Sequence, residues 1–204
     1  MSILFHVPDS STTETFEDYN LGELDGQGNW VEHPSTPSTD IFMVTDSIAQ
    51  TGSKCVYVNY DAASTIENVF SAEPGIVDIT FYVRSDNVAG NTARFGLANG
   101  DGVDGGKQAA HIRINGSDFQ NYNGSTWANI TNSNVLSNDT WHKIRIVANS
   151  ISNNFEFYLD NLKRGTTHDF RANQASLDRF YLNCSGGAGG ADIWVDSIDL
   201  ILGV

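Results

Sequence analysis

Apolar side chains recur at every second position through five separate stretches of this chain, a period that a strand produces and a helix does not. Val77, Ile79, Phe81 and Val83 alternate with Asp78, Thr80, Tyr82 and Arg84. Ala93, Phe95 and Leu97 flank Arg94 and Gly96, and Ala110, Ile112 and Ile114 flank His111 and Arg113. His142, Ile144, Ile146 and Ala148 oppose Lys143 and Arg145, while Phe155, Phe157 and Leu159 oppose Glu156 and Tyr158. Each stretch therefore has one face fit for a core and one left free. Further strands are predicted at 41–45, 54–60, 66–71 and 179–183.

Clusters rich in Gly and Asn separate these runs at 89–91, 99–106, 123–125, 160–161 and 186–190. Such residues tolerate positive φ and suit hairpin turns. Only 173–177 suggests a turn of helix. Evenly spaced strands without helices predict an all-β fold, a single-domain antiparallel β-sandwich or jelly roll over residues 1–204. Its closing strand, within 191–200, would turn Ile193, Val195 and Ile198 inward and carry Asp192, Asp196 and Asp199. The opening segment 15–19 also mixes aromatics with acids, so the two ends are expected to close the domain together, with a shared cation as one means.

The formal charge of -14 argues against nucleic acid or an anionic membrane surface as partner, because counterion release needs basic surface. No apolar run reaches the roughly 18 to 20 residues that membrane insertion needs. Residues 1–8 lack a basic region and have too short an apolar run for a secretory signal. The expected location is extracellular or the virion surface, reached either with a signal since removed or by another route, with the cytoplasm also open. Cys55 and Cys184 are too few for a zinc site, and form either one disulfide or two buried thiols.

The run DTWHKIRI at 139–146, followed by NFEFYLD at 154–160 and a closing Val195-Asp196-x-Ile198 strand, resembles the concanavalin A-like lectin/glucanase superfamily, including laminin G-like domains. FEDY at 16–19, then Gly22, Leu24, Gly26, Gln27 and Trp30, and TGS at 51–53 before a strand, extend the likeness over nearly the whole chain. The resemblance implies two curved antiparallel sheets, one concave and often ligand-facing. It does not fix an activity, since one scaffold hosts many. Domains of this kind often clamp Ca²⁺ between an early and a late acid. Glu17 and Asp196 stand at the matching positions, with Gly52 or Lys54 able to lend carbonyls. The alternative is that both acids are ordinary solvated strand ends.

On the alternation above, Tyr82, Arg84, Arg94, His111, Arg113, Lys143, Arg145 and Tyr158 all lie on non-core faces. If their strands are neighbours, they form a basic and aromatic groove suited to a sugar stacked on Tyr and an anionic group forked by Arg. The alternative is pairing with cross-strand acids such as Asp78 and Glu156. Tyr122 and Trp127 could add a rim platform, Trp127 equally a core plug. Catalysis finds less support. The paired carboxylates of retaining glucanases, Glu-x-Asp-x-x-Glu, have no counterpart here, since Glu67 and Glu73 lack a central Asp. Arg84, His111 and Tyr158 supply the residue types of polyuronate lyases without their motifs, and no Gly-x-Ser-x-Gly elbow occurs. The expectation is a lectin-like, carbohydrate-binding module, not an enzyme, whose partner is a glycan or polysaccharide. A virion or cell-surface structural protein, meeting other virion or surface proteins, is the alternative, and a polyuronate lyase the third.

Overall fold

The computed structural model describes residues 10–36, 39–59, 63–90, 93–130, 135–185 and 190–203. Within them the alternating stretches are strands: β1 (Ser10–Glu14), β2 (Gly22–Glu23), β3 (Trp30–Glu32), β4 (Phe42–Thr45), β5 (Cys55–Val58), β6 (Ala63–Glu73), β7 (Ile76–Ser85), β8 (Arg94–Ala98) and β9 (Gln108–Asn115). There follow β10 (Asp118–Tyr122), β11 (Trp127–Asn129), β12 (His142–Asn149), β13 (Asn154–Leu159), β14 (Leu162–Lys163), β15 (His168–Asp169), β16 (Leu177–Ser185) and β17 (Ile193–Leu202). A single 3-10 turn, Val88–Gly90, is the one helical element among the described residues. The helical turn expected at 173–177 does not form; Leu177 opens β16, where its side chain is buried and its backbone pairs with β6. Tyr60, Asn91 and the turn cluster at 186–189 lie outside the described residues.

The strands form two antiparallel sheets. A ten-stranded sheet runs β14-β13-β12-β7-β17-β5-β4-β2, with β1 beside β17 and β15 beside β13; a seven-stranded sheet runs β11-β10-β9-β8-β16-β6-β3. The apolar faces read from the alternation meet between them. Val77, Ile79, Phe81, Ile144, Ile146 and Phe157 oppose Phe95, Leu97, Ile112, Phe119, Phe180 and Leu182, none more than 1% exposed. Each such side chain contributes about 1.5–3 kcal/mol on burial. Aromatic contacts bridge the layers, Phe81 to Phe95 at 5.1 Å edge-on and Phe119 to Phe157 at 5.1 Å.

The two ends of the described chain do meet: β1 pairs with the second half of β17, from Ser10 opposite Leu202 to Glu14 opposite Ile198. Ile193, Val195 and Ile198 are all buried as expected. Val195 and Ile198 are three residues apart and would face opposite ways in a regular strand. A bulge between Asp196 and Asp199, with Ser197 at φ 50°, turns both inward.

Candidate ligand-binding face

The structure divides the groove expected from the sequence. Tyr82 and Arg84 on β7, Lys143 and Arg145 on β12, and Tyr158 on β13 lie on the outer face of the ten-stranded sheet. Arg94 on β8, His111 and Arg113 on β9, and Trp127 on β11 lie on the outer face of the seven-stranded sheet. The reason is topological. Alternation gives each strand its outward side correctly, but β7 pairs with β12 and β17 while β8 pairs with β9 and β16. The two sets therefore point away from each other.

On the ten-stranded face Arg84, Arg145 and Lys163 are answered by acids, the alternative foreseen for this set. Arg145 forks Asp78 at 2.6 and 2.9 Å, Lys163 meets Glu156 at 2.5 Å, and Arg84 pairs with Asp139 while lying 4.9 Å from the Trp194 ring centre. The Tyr158 hydroxyl donates to Glu156 at 2.6 Å. A cleft of about 420 Å³ on this face is lined by Asp78, Thr80, Lys143, Arg145, Asn161 and Asp199, so charges of both signs meet there.

The seven-stranded face is built differently, from two adjacent cross-strand rows. In the first, Glu67 stands opposite Tyr181, Tyr181 opposite Gly96, and Gly96 opposite His111; Tyr122 and Trp127 complete it at the sheet edge. Gly96 makes this row possible. A Cβ there would lie 1.8 Å from the Ala110 carbonyl oxygen and 2.9 Å from the Tyr181 hydroxyl. Without it, Tyr181 reaches across β8 to His111 Nδ1 at 2.5 Å. His111, expected to be exposed, is 2% exposed, because Tyr181 stacks at 6.0 Å, Trp127 packs at 5.0 Å and Tyr122 meets it edge-on at 6.4 Å. Trp127 is thus a half-buried outer-face residue and not a core plug.

The second row reads Thr65, Asn183, Arg94, Arg113, Gln120 and Asn129, each opposite the next on six consecutive strands. Thr65 is buried and Asn129 exposed, so the row opens toward β11. Asn183 donates to Thr65 Oγ1 at 2.7 Å, Arg113 Nε to Gln120 Oε1 at 2.8 Å, and Gln120 to Asn129 Oδ1 at 2.6 Å. Arg113 lies 4.1 Å from the Trp127 ring centre and Arg94 5.9 Å, while Arg171, from the loop before β16, lies 4.9 Å from that of Tyr122. No carboxylate among the described residues pairs with Arg94, Arg113 or Arg171; the nearby acids Glu67 and Asp178 are taken by Arg179. Burial, then Arg171, Arg94 and Arg113, push the His111 pKa down to about 3, which keeps the ring neutral at physiological pH. Burial and the charge of Arg94 also lower that of Arg113.

The residues expected to hold calcium are engaged by donors of the chain itself. Calcium takes six to eight oxygens from free carboxylates and carbonyls. Glu17 instead accepts the Ser53 amide and hydroxyl and the Lys54 amide at 2.7–2.8 Å, which hold its carboxyl below the usual range. Asp196 accepts the amides of Gln50, Thr51 and Ser197 at 2.7–2.9 Å. The Lys54 ammonium donates to the carbonyls of Glu17 and Tyr19, both at 2.7 Å, so a cationic side chain already sits where carbonyl ligands converge. His33, Glu67 and Asp101 bring one ligand atom each within 4.8 Å of one another. Their donors are likewise engaged: Glu67 meets Arg179 at 2.5 Å and the Gly102 amide at 2.6 Å, and His33 Nε2 meets Asp101 at 3.2 Å. Gly102 belongs to the loop between β8 and β9, which is a hairpin loop as the sequence indicated.

Sequence reading missed Tyr181, Arg171, Asn183, Gln120 and Asn129 on this face. A glycine inside the alternation at Gly96 was the available signal, since it marks a close approach. No family model matches the chain, and no curated protein sequence does. Among solved structures it is similar to a sialidase (13% identity, TM-score 0.70), covering 93% of this chain and 18% of that one. It is also similar to the carbohydrate recognition domain of Emp47p (12% identity, TM-score 0.55, 92% and 96% of the two chains). A third is domain 4 of AbnA, an extracellular arabinanase from Geobacillus stearothermophilus, in complex with arabinotriose (12% identity, TM-score 0.60, 94% and 91%). These likenesses show the fold, a jelly-roll β-sandwich.

Proposed function

We propose that the outer face of the seven-stranded sheet binds a glycan or polysaccharide and performs no chemistry on it. The observation that carries this reading is the second cross-strand row, in which amide and guanidinium groups succeed one another from Asn183 to Asn129 beside the half-buried rings of Trp127 and Tyr122. Strands lie about 4.8 Å apart, so the open part of the row runs for about 20 Å, a length suited to several linked sugars. Carboxamides both donate and accept, as sugar hydroxyls require, and an indole beside them receives the apolar face of a pyranose. Domain 4 of the arabinanase, of like fold, was solved with arabinotriose, which is in keeping with this reading. Such a module would meet its glycan outside the cell or on a virion.

Binding without turnover is supported by the burial of the His111–Tyr181 pair on this face. His111 and Tyr181 are 2% and 0% exposed, beneath Trp127 and Tyr122, and a general base must come within hydrogen-bond reach of its substrate. The test is a glycan array with the wild type and Trp127→Ala. Wild type should retain a defined set of glycans, with affinity at least tenfold weaker in the variant, about 1.4 kcal/mol. Failure of the folded wild type to bind any glycan overturns the proposal.

A further inference from the structure

We infer that the glycan taken by this face is acidic, with its carboxylate or sulfate seated between Arg94 and Arg113 and with Arg171 alongside. This rests on the glycan-binding reading of the same face and adds the chemical class of the ligand.

Arg94 and Arg113 stand directly opposite each other on β8 and β9. Like charges so placed oppose folding, because Cβ atoms in such pairs are only about 5 Å apart. A chain with 25 acidic and 11 basic residues has acids to spare, and it uses them elsewhere. Arg84, Arg145 and Arg179 all have carboxylate partners. Arg94, Arg113 and Arg171 have none among the described residues, although all three crowd around the buried, neutral His111. The Arg94 Nε is buried with no hydrogen-bond partner among the described residues.

Stacking explains why these cations are poised and not merely tolerated. Arg113 and Arg94 lie over Trp127 and Arg171 over Tyr122; Gln120 takes Arg113 Nε and Gln108 takes Arg171 Nη1, which leaves the remaining guanidinium N–H groups for an acidic acceptor. The same row places Asn183, Gln120 and Asn129 beside the guanidiniums, so an acid carried on a glycan chain meets carboxamides as well, which a small free anion does not reach.

The experiment is calorimetric titration of the purified protein with polygalacturonate, carrageenan and neutral galactan, using wild type, Arg94→Gln, Arg113→Gln, Arg113→Lys and, as control, Lys163→Gln on the other sheet. Near-ultraviolet circular dichroism checks that each variant is folded. At least one acidic polymer should bind tenfold or more tightly than galactan. Each Arg→Gln change should weaken that binding at least tenfold, Arg113→Lys less, and Lys163→Gln not at all. Polygalacturonate and carrageenan tell a carboxylate from a sulfate. Galactan binding as tight as either acid, or acidic binding unaltered in both Arg→Gln variants, overturns the inference while leaving glycan recognition intact. No binding to any of the three polymers, nor to any glycan of the array, removes both.

Discussion

His111 shows how one side chain can record the electrostatics of a whole face. A histidine ordinarily titrates at 6.5; here burial first, then Arg171, Arg94 and Arg113, hold it down to about 3. The folded state therefore binds fewer protons than the unfolded chain between those two values. Stability tied to His111 is complete above pH 6.5 and is lost as pH falls toward 3, by at most about 1.4 kcal/mol per pH unit. Urea unfolding of wild type and His111→Gln between about pH 7 and about pH 4.5 checks this: the variant should lose distinctly less stability over that window. An equal pH dependence in both proteins would mean that His111 is protonated in the fold. The outward direction of this residue was legible from alternation, but its burial was not. The covering rings come from β10, β11 and β16, two of them across a sheet edge the sequence does not display.

At the scale of elements, the strands themselves were written plainly: β7, β8, β9, β12 and β13 occupy the stretches where apolar positions alternate, and their inward residues are the core. Which strand lies beside which was not written, because pairing depends on turns and long-range register and not on period. Hence β7 and β8, consecutive in sequence, hold opposite sheets, and one expected groove became two unlike surfaces. The closing acids were a near approach to the real arrangement. Glu17 and Asp196 do secure the ends of the fold, yet they do so by accepting amides of the segment 50–54 and, in Asp196, that of Ser197. Asp196→Ala should therefore cost about 2 kcal/mol by leaving three amide donors without acceptors, read as a lowered urea midpoint. Calcium or a chelator should leave the wild-type Tm where it was, since the Lys54 ammonium already holds the carbonyls of Glu17 and Tyr19. A rise in Tm on adding calcium would reverse this account of the clamp.

Over the whole molecule, the two outer faces differ in charge: one pairs Arg84, Arg145 and Lys163 with acids, the other leaves three guanidiniums without acids among the described residues. The core between them includes Cys184, and Cys55 is as fully covered; both are free thiols, not the disulfide that two cysteines could have formed. They belong to different sheets, Cys55 on β5 and Cys184 on β16. Burial pushes each pKa up to about 12, so almost none of either is thiolate at neutral pH. Dithiothreitol should leave Tm unchanged, and iodoacetamide should label the protein only after denaturant is added; rapid labelling of the native protein would contradict the burial. Sulfur therefore contributes bulk to this sandwich and no crosslink. Reducing and oxidising surroundings should therefore leave this fold equally intact, because no bond within it answers to either.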